Sequence, residues 1–411
     1  MSMQLSIVGG CYGEECAFPR RQLFRGSAGR AAALISGLGV EVRLHTVLGN
    51  GLVKEFVGLA DHFGYELIDT PSDADVWFRY RFPLGRPDRY PSGDIAVEQP
   101  IVVAENMLVF GMIEGRPATH ADRVVYDPQD GSKSKPYAAN GSTAKELAMV
   151  VSYSEGRVLT GQKEPEDIAT ALLDEHAARV AIVKCGPQGA LVRTVSESFW
   201  VYPFPTKNVY KIGSGDVFSA GFAYGWICRS MSVKDAAWYA SRLTAHYVET
   251  GSDRIDPSVA HDLGLEAKQR SKLVGAGNPR PVPKSSIYLA GPFFNVSQQW
   301  AIDEARSALQ DMGFNVFSPI HDVGVGPAKD VAQADLKALD ACSVVLAVLD
   351  GLDPGTLFEV GYARAKGIPV IAVAESVDPS ALTMFIGSDC YITNDFTTAI
   401  YVTCWTLMGD V

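Results

Sequence analysis

The sequence has no long apolar run: stretches such as Val344-Val345-Leu346-Ala347-Val348-Leu349 fall far short of the ~20 residues that a membrane helix needs. No membrane partner is therefore expected. Its seven cysteines are odd in number, scattered and never spaced as CxxC, which argues against a disulfide framework and a structural zinc site. The seven histidines show no HxxxH ligand spacing. Basic charge is also scarce, with 36 Lys and Arg against 47 Asp and Glu and a net charge of −11. From Lys284 to Val411 the imbalance sharpens to 15 acids against 6 bases. Such a surface repels phosphate backbones, so duplex nucleic acid is excluded as a partner and a small neutral or cationic ligand fits better. The opening Met-Ser-Met-Gln-Leu-Ser-Ile-Val-Gly-Gly lacks the basic segment and long apolar stretch of a signal peptide, and a cytoplasmic location is expected.

At 411 residues the chain exceeds the ~250–300 at which single cores stop growing, so two domains are expected. The division falls at residues 272–285, within KLVGAGNPRPVPKSS, where three prolines and two glycines interrupt all apolar periodicity. This gives a first domain over 1–271 and a second over 286–411.

The second domain alternates strand and helix patterns. Strands are expected at Ser286–Ala290, Asn315–Ser318, Val344–Leu349 and Ile368–Ala374. Helices are expected at Gln298–Met312, Val331–Ala341 and Thr356–Lys366. That order implies a parallel sheet covered on both faces, with ligands at the carboxyl ends of the strands. Polar and Gly/Pro-rich residues gather there: Gly291-Pro292-Phe293, Ser318-Pro319, and Asp350 to Glu359. Asp353 lies in the loop after a strand and Glu359 in the first turns of the next helix. The helix N-terminus is expected to help keep Glu359 ionised, as suits attack on an anomeric carbon. Taken singly, Glu359 reads as a solvated helix acid, Tyr288 as a core tyrosine, Asp335 as a helix N-cap and Asp353-Pro-Gly as a turn. The set carries the inference.

Ile287-Tyr288-Leu289-Ala290-Gly291-Pro292-Phe293, Asp335-Leu336 at a helix start, and Asp353-x-Gly355-Thr356-x-x-Glu359-x-Gly-x-Ala resemble the nucleoside 2-deoxyribosyltransferases over roughly residues 285–395. The resemblance implies a flavodoxin/Rossmann-like fold and cleavage of an N-glycosidic bond without a cofactor. It makes Glu359 the nucleophile, Tyr288 its orienting group and Asp335 the residue handling the proton of the departing base. Asp353 would bind sugar hydroxyls, with Gly291, Pro292, Phe293, Gly355 and Thr356 lining the substrate site. Relatives that hydrolyse nucleotides carry a serine where Asp353 stands, so a free nucleoside is favoured over a nucleotide. Family transferases supply an asparagine, in an Asn-x-Met pattern, to a neighbouring subunit; the nearest match, Leu382-Thr383-Met384, lacks it, which leaves hydrolysis open beside transfer.

In the first domain the sharpest feature is Ile212-Gly213-Ser214-Gly215-Asp216-Val217-Phe218, a glycine-rich turn opening a helix and suited to phosphate. Asp216 could accept a substrate proton, or simply cap the helix. Together with Gly26–Ala32, Asp122–Pro128, Ser152-x-x-Glu155, Leu159-Thr160-Gly161 and Val183-Lys184-Cys185-Gly186, this run resembles the ribokinase (PfkB-type) kinases over about residues 4–255. The resemblance implies a three-layer α/β/α fold, ATP held by Gly213, Ser214, Gly215 and Gly186, Mg²⁺ associated with Glu155, and Asp216 as catalytic base. Departures are numerous. Lys211 and Ile212 replace Asp-Thr, Ser152 replaces a metal-associated Asn, and Arg30 replaces a substrate-binding Asn. About sixteen residues separate Gly10 from Gly26, which is short for a β-lid.

The expected protein is a homo-oligomeric enzyme acting on a small nucleoside or nucleotide. Its first domain either phosphorylates the sugar or nucleoside with ATP, or is a silent nucleotide- or nucleoside-binding module that regulates the second.

Overall fold

The computed structural model describes residues 3–129, 131–273 and 283–410. The chain divides into two compact units, Met1–Phe204 with Tyr210–Pro279, and Pro205–Val209 with Arg280–Val411. Most of the expected 272–285 connector lies outside the described residues. Lys272 and Leu273 belong to the helix Pro257–Leu273.

The first unit is built on a nine-stranded sheet. In spatial order its strands are Ser198–Val201, Ala190–Thr194, Val180–Lys184, Thr143–Ser152, Thr119–Asp127, Val102–Phe110, Gln4–Val8, Glu41–Gly49 and Glu66–Ser72. All neighbours are parallel except the two pairings at the Ser198–Val201 edge. The central strands read as continuous apolar runs, such as Ala148–Val151 and Val180–Val183, because both faces are buried. Asp127, Ser152 and Lys184 end three adjacent parallel strands, so the topology delivers them to one edge. Ser152 there opens the helix Tyr153–Thr160 through a capping box. Its Oγ accepts from Glu155 N, and its own N–H donates to Glu155 Oε2 at 2.7 Å.

The short spacing between Gly10 and Gly26 does not remove a lid-like sheet. A second sheet of four strands is present, in the order Arg21–Phe24, Gly13–Cys16, Trp77–Tyr80, Asp88–Tyr90. Two of its strands fit inside the short interval. The other two are supplied by residues 77–90, where the period-two alternation of Trp77 to Phe82 matches a half-buried strand.

The second unit has a five-stranded, wholly parallel sheet, ordered Val316–Phe317, Ser286–Ala290, Cys342–Val348, Val370–Val373, Tyr391–Thr393. This is the flavodoxin-like order, whose switch point lies between the first strand in sequence and the third. Here that is the gap between Ser286–Ala290 and Cys342–Val348. Gly291 follows the first of these strands, and a Cβ there would meet Ile302 and Val348, so glycine permits their close approach. The strand Tyr391–Thr393 and the helix Phe396–Met408 lie beyond the elements read from periodicity. The strand has three residues, and the helix is buried over Thr397–Trp405, so neither shows an amphipathic period.

Replacing Ser152 by Ala removes one half of the capping box and is expected to lower unfolding free energy by about 1 kcal/mol in a denaturant titration, without changing the fold.

Candidate functional site

In the second unit Tyr288 stands in the middle of Ser286–Ala290, and Glu359 lies one turn into the helix Pro354–Ala365. The two elements flank the switch point, and the Tyr288 hydroxyl donates to Glu359 Oε1 at 2.7 Å. Tyr288 is fully buried and its ring stacks on Phe317 at 5.5 Å, which fixes the hydroxyl's direction. Burial and the neighbouring Glu359 charge push the phenol above its ordinary range, so it remains a donor.

Glu359 is not held ionised by its helix terminus as expected. Burial pushes its carboxyl up to about 7; the Tyr288 hydrogen bond opposes this, while the charges of Asp335 and Asp353 add to it. The group that opposes burial and those two acids at Glu359 is the Tyr288 hydroxyl. The dipole effect of a first turn, ~0.3–1 kcal/mol, is smaller than the desolvation of a half-buried carboxylate.

Asp335 does not begin a helix. It lies in the middle of Ala328–Ala341, which excludes the N-cap reading. Burial raises its pKa, and its Oδ1 is buried with no hydrogen-bond partner. Asp353 is the N-cap of Pro354–Ala365: Oδ2 accepts from Thr356 N at 2.8 Å and from Thr356 Oγ1 at 3.1 Å. A Cβ on Gly355 would crowd that same oxygen. Thr356 is thereby committed to the turn. Pro292 is buried, and Phe293 is half-buried against the exposed Phe294 ring.

In the first unit Gly213 takes φ +81° as the N-cap of Ser214–Ala223, and a Cβ there would run into the Arg30 guanidinium. Ser214 is the first helical residue, while Gly186, at φ +56°, opens a short turn after Val180–Lys184. Asp216 sits in the first turn with both oxygens taken. Arg30 Nη1 donates to Oδ2 at 2.7 Å and Gln129 Nε2 to Oδ1 at 3.0 Å. Burial pushes Asp216 up to about 6 against the opposing Arg30 charge. Arg30 is 1% exposed and also donates to Glu14 Oε2 at 2.5 Å and to Tyr247 Oη at 3.0 Å. Glu14 in turn accepts from Gly26 N. The residue that departs from the kinase pattern thus clamps the residue expected to be its base.

Glu155 is buried and spends one oxygen on its capping box. Burial raises its pKa and so does Asp127, with Lys184 opposing. Lys184 Nζ donates to Asp127 Oδ2 at 2.6 Å and to Ser219 Oγ at 3.3 Å. Asp127 keeps Oδ1 without a partner, yet no three of the described His, Cys, Asp and Glu residues stand close enough to hold a metal ion. The Lys184 ammonium already neutralises Asp127, so the described residues offer no ready cluster of ligands for the Mg²⁺ expected at Glu155.

Comparison with known proteins separates the two units. Residues 287–395 match the nucleoside 2-deoxyribosyltransferase family model, and residues 117–258 match that of the pfkB family carbohydrate kinases. The chain joins a PfkB-type carbohydrate kinase domain to a nucleoside 2-deoxyribosyltransferase domain. The chain is 38% identical over 101 residues to 2-dehydro-3-deoxygluconokinase of Bacillus subtilis, covering 24% of this chain and 31% of that one. It is 33% identical over 100 residues to ATP-dependent 6-phosphofructokinase isozyme 2 of Mycobacterium tuberculosis, covering 23% and 30%. The chain thus spans less than a third of the length of either relative. Phosphofructokinase-2 from Escherichia coli in complex with potassium superposes with a TM-score of 0.50 at 12% identity, over 65% of this chain and all of that one, which shows a shared fold.

The Arg30 clamp and the Lys184 position were not legible from motifs. Arg30 meets Glu14, Asp216 and Tyr247 at separations of 16, 186 and 217 residues, and Lys184 meets Asp127 at 57. The alternation of acids and bases in separate motifs was the available signal.

Two outcomes follow from this geometry. Tyr288→Phe removes the donor that favours ionised Glu359, so carboxyl titration by carbon-detected NMR should place Glu359 above the value of about 7 in the parent. Arg30→Ala strands Glu14 and Asp216 and should lower unfolding free energy by about 3–5 kcal/mol; Arg30→Ala with Asp216→Asn should recover part of that loss.

Proposed function

We propose that the nucleoside 2-deoxyribosyltransferase domain breaks the N-glycosidic bond of a free nucleoside, with Glu359 as nucleophile. The observation that carries this reading is the Tyr288–Glu359 hydrogen bond at the switch point: it holds Oε1 and leaves Oε2 free to attack. Oε2 forms a bond to C1′ as the C1′–N bond breaks, and the electron pair leaves with the base. Asp335, whose raised pKa favours the protonated form, gives its proton to the departing nitrogen. Water or a second base then attacks C1′ of the glycosyl ester, Asp335 takes the proton back, and Glu359 is released. Asp353 retains Oδ1 for a sugar hydroxyl. The uncompensated acids around Glu359 suit a neutral nucleoside better than a 5′-phosphate.

For the PfkB-type domain, the Arg30 clamp on Asp216 favours the second of the two readings, a nucleotide-binding module that regulates the glycosidase. A base whose two oxygens are already engaged by Arg30 and Gln129 is poorly placed to take a sugar's proton. Phosphorylation of the released sugar by ATP would require that clamp to open.

Incubation with a panel of nucleosides and nucleotides, with and without ATP, followed by mass spectrometry of all products, tests both readings. Free base is expected from nucleosides and not from their 5′-phosphates, without phosphorylated sugar. Glu359→Gln should lower the rate by at least about a thousandfold, as expected for loss of a covalent nucleophile. Base release at the parental rate by Glu359→Gln would reject the assignment, and ATP-dependent formation of a sugar phosphate would restore the kinase reading.

A further inference from the structure

We propose that Lys184 is a built-in replacement for a divalent cation, so that the first unit takes up the phosphates of a nucleotide without a metal. This rests on the reading of that unit as a nucleotide-binding module and specifies how the module handles charge. The acids at this edge already possess a counter-ion. Lys184 ends the strand Val180–Lys184, next to strands that deliver Asp127 and Ser152, and its ammonium meets Asp127 Oδ2 at 2.6 Å. Glu155 is tied to the capping box and Asp216 to Arg30 and Gln129, so the carboxylates are dispersed among internal partners.

The same ammonium is turned to account at the phosphate-binding turn. An ammonium has three N–H groups; Asp127 and Ser219 take two, leaving one for an incoming oxygen. Gly215 lies against it, and a Cβ at that position would come within 3.5 Å of Nζ, so glycine leaves the nitrogen approachable from the start of the helix Ser214–Ala223. Lys211, three residues before that helix, accepts from Ser214 N through its carbonyl, and burial with the nearby Lys184 charge lowers the pKa of its amine, so Lys184 is the cation that meets the phosphates. Backbone N–H groups of a helix start together with the Lys184 ammonium supply the positive field that a phosphoanhydride needs. A metal bridging the acids and the phosphates would have to share Asp127 with Lys184, whose ammonium already holds Oδ2.

Calorimetric titration of the full chain with ATP, in EDTA and in Mg²⁺, tests the assignment directly. Equal affinity in the two buffers, within about twofold, is expected. ATP binding that weakens tenfold or more in EDTA would overturn the Lys184 assignment while leaving the nucleotide-binding reading in place. Absence of ATP binding in both buffers would overturn both. Lys184→Met leaves Asp127 unpaired and risks misfolding, so the charge-balanced pair Asp127→Asn with Lys184→Met is the companion variant. With an unchanged circular dichroism spectrum it should bind ATP about ten- to a hundredfold more weakly in EDTA, as for loss of one charged hydrogen bond; unaltered affinity would count against Lys184.

Discussion

One hydrogen bond governs the carboxyl at the switch point of the second unit. Removing a carboxylate from water penalises its charged form, and at Glu359 the nearby Asp335 and Asp353 charges deepen that penalty. The Tyr288 hydroxyl is the group that acts in the opposite direction. Its reach depends on a fully buried ring stacked on Phe317, on a strand at the centre of a parallel sheet, and on a helix that begins where Asp353 caps it. The result is an acid poised near neutrality with one oxygen held and the other uncommitted. Strand order, cap and stacking therefore shape the ionisation of Glu359, as well as stability.

The first unit solves a different electrostatic problem with similar means. Four acids, Glu14, Asp127, Glu155 and Asp216, are buried near the carboxyl edge of the large sheet. Such groups stay charged only if paired, and here the pairing is internal: Arg30 serves Glu14 and Asp216, and Lys184 serves Asp127. A fold shared with sugar kinases is thus retained while three of these acids are engaged by the chain's own cations and Glu155 by its capping box. This is the physical basis for preferring a binding module to a phosphoryl-transfer site.

Much of the architecture was legible in advance because it is written in local patterns. The Ser286–Ala290 strand, the Pro354–Ala365 helix and the glycine-rich opening of Ser214–Ala223 all follow from short-range periodicity and turn chemistry. Asp335 shows where such reading fails. Its helix starts seven residues earlier at Ala328, behind Pro327, and an aspartate beside a leucine resembled a start only because Asp is favoured at N-caps. Glu359 departs from its sequence expectation for a related reason: the helix terminus is visible in sequence, but the burial that outweighs it is tertiary. Arg30 was visible as a departure, yet its partners are brought together by a fold spanning more than two hundred residues. The same fold brings a second segment, residues 77–90, to complete the four-stranded sheet that the short Gly10–Gly26 interval did not suggest.

The central claim is a covalent one, so the most direct measurement looks for the bond itself. The chain is mixed with a nucleoside that it cleaves, quenched in acid within the first turnovers, digested and read by peptide mass spectrometry. A glycosyl adduct on the peptide containing Glu359, weaker in the Tyr288→Phe protein when turnover is run at neutral pH, is the predicted result. Base release with no adduct at any quench time, or an adduct on another residue, would contradict it.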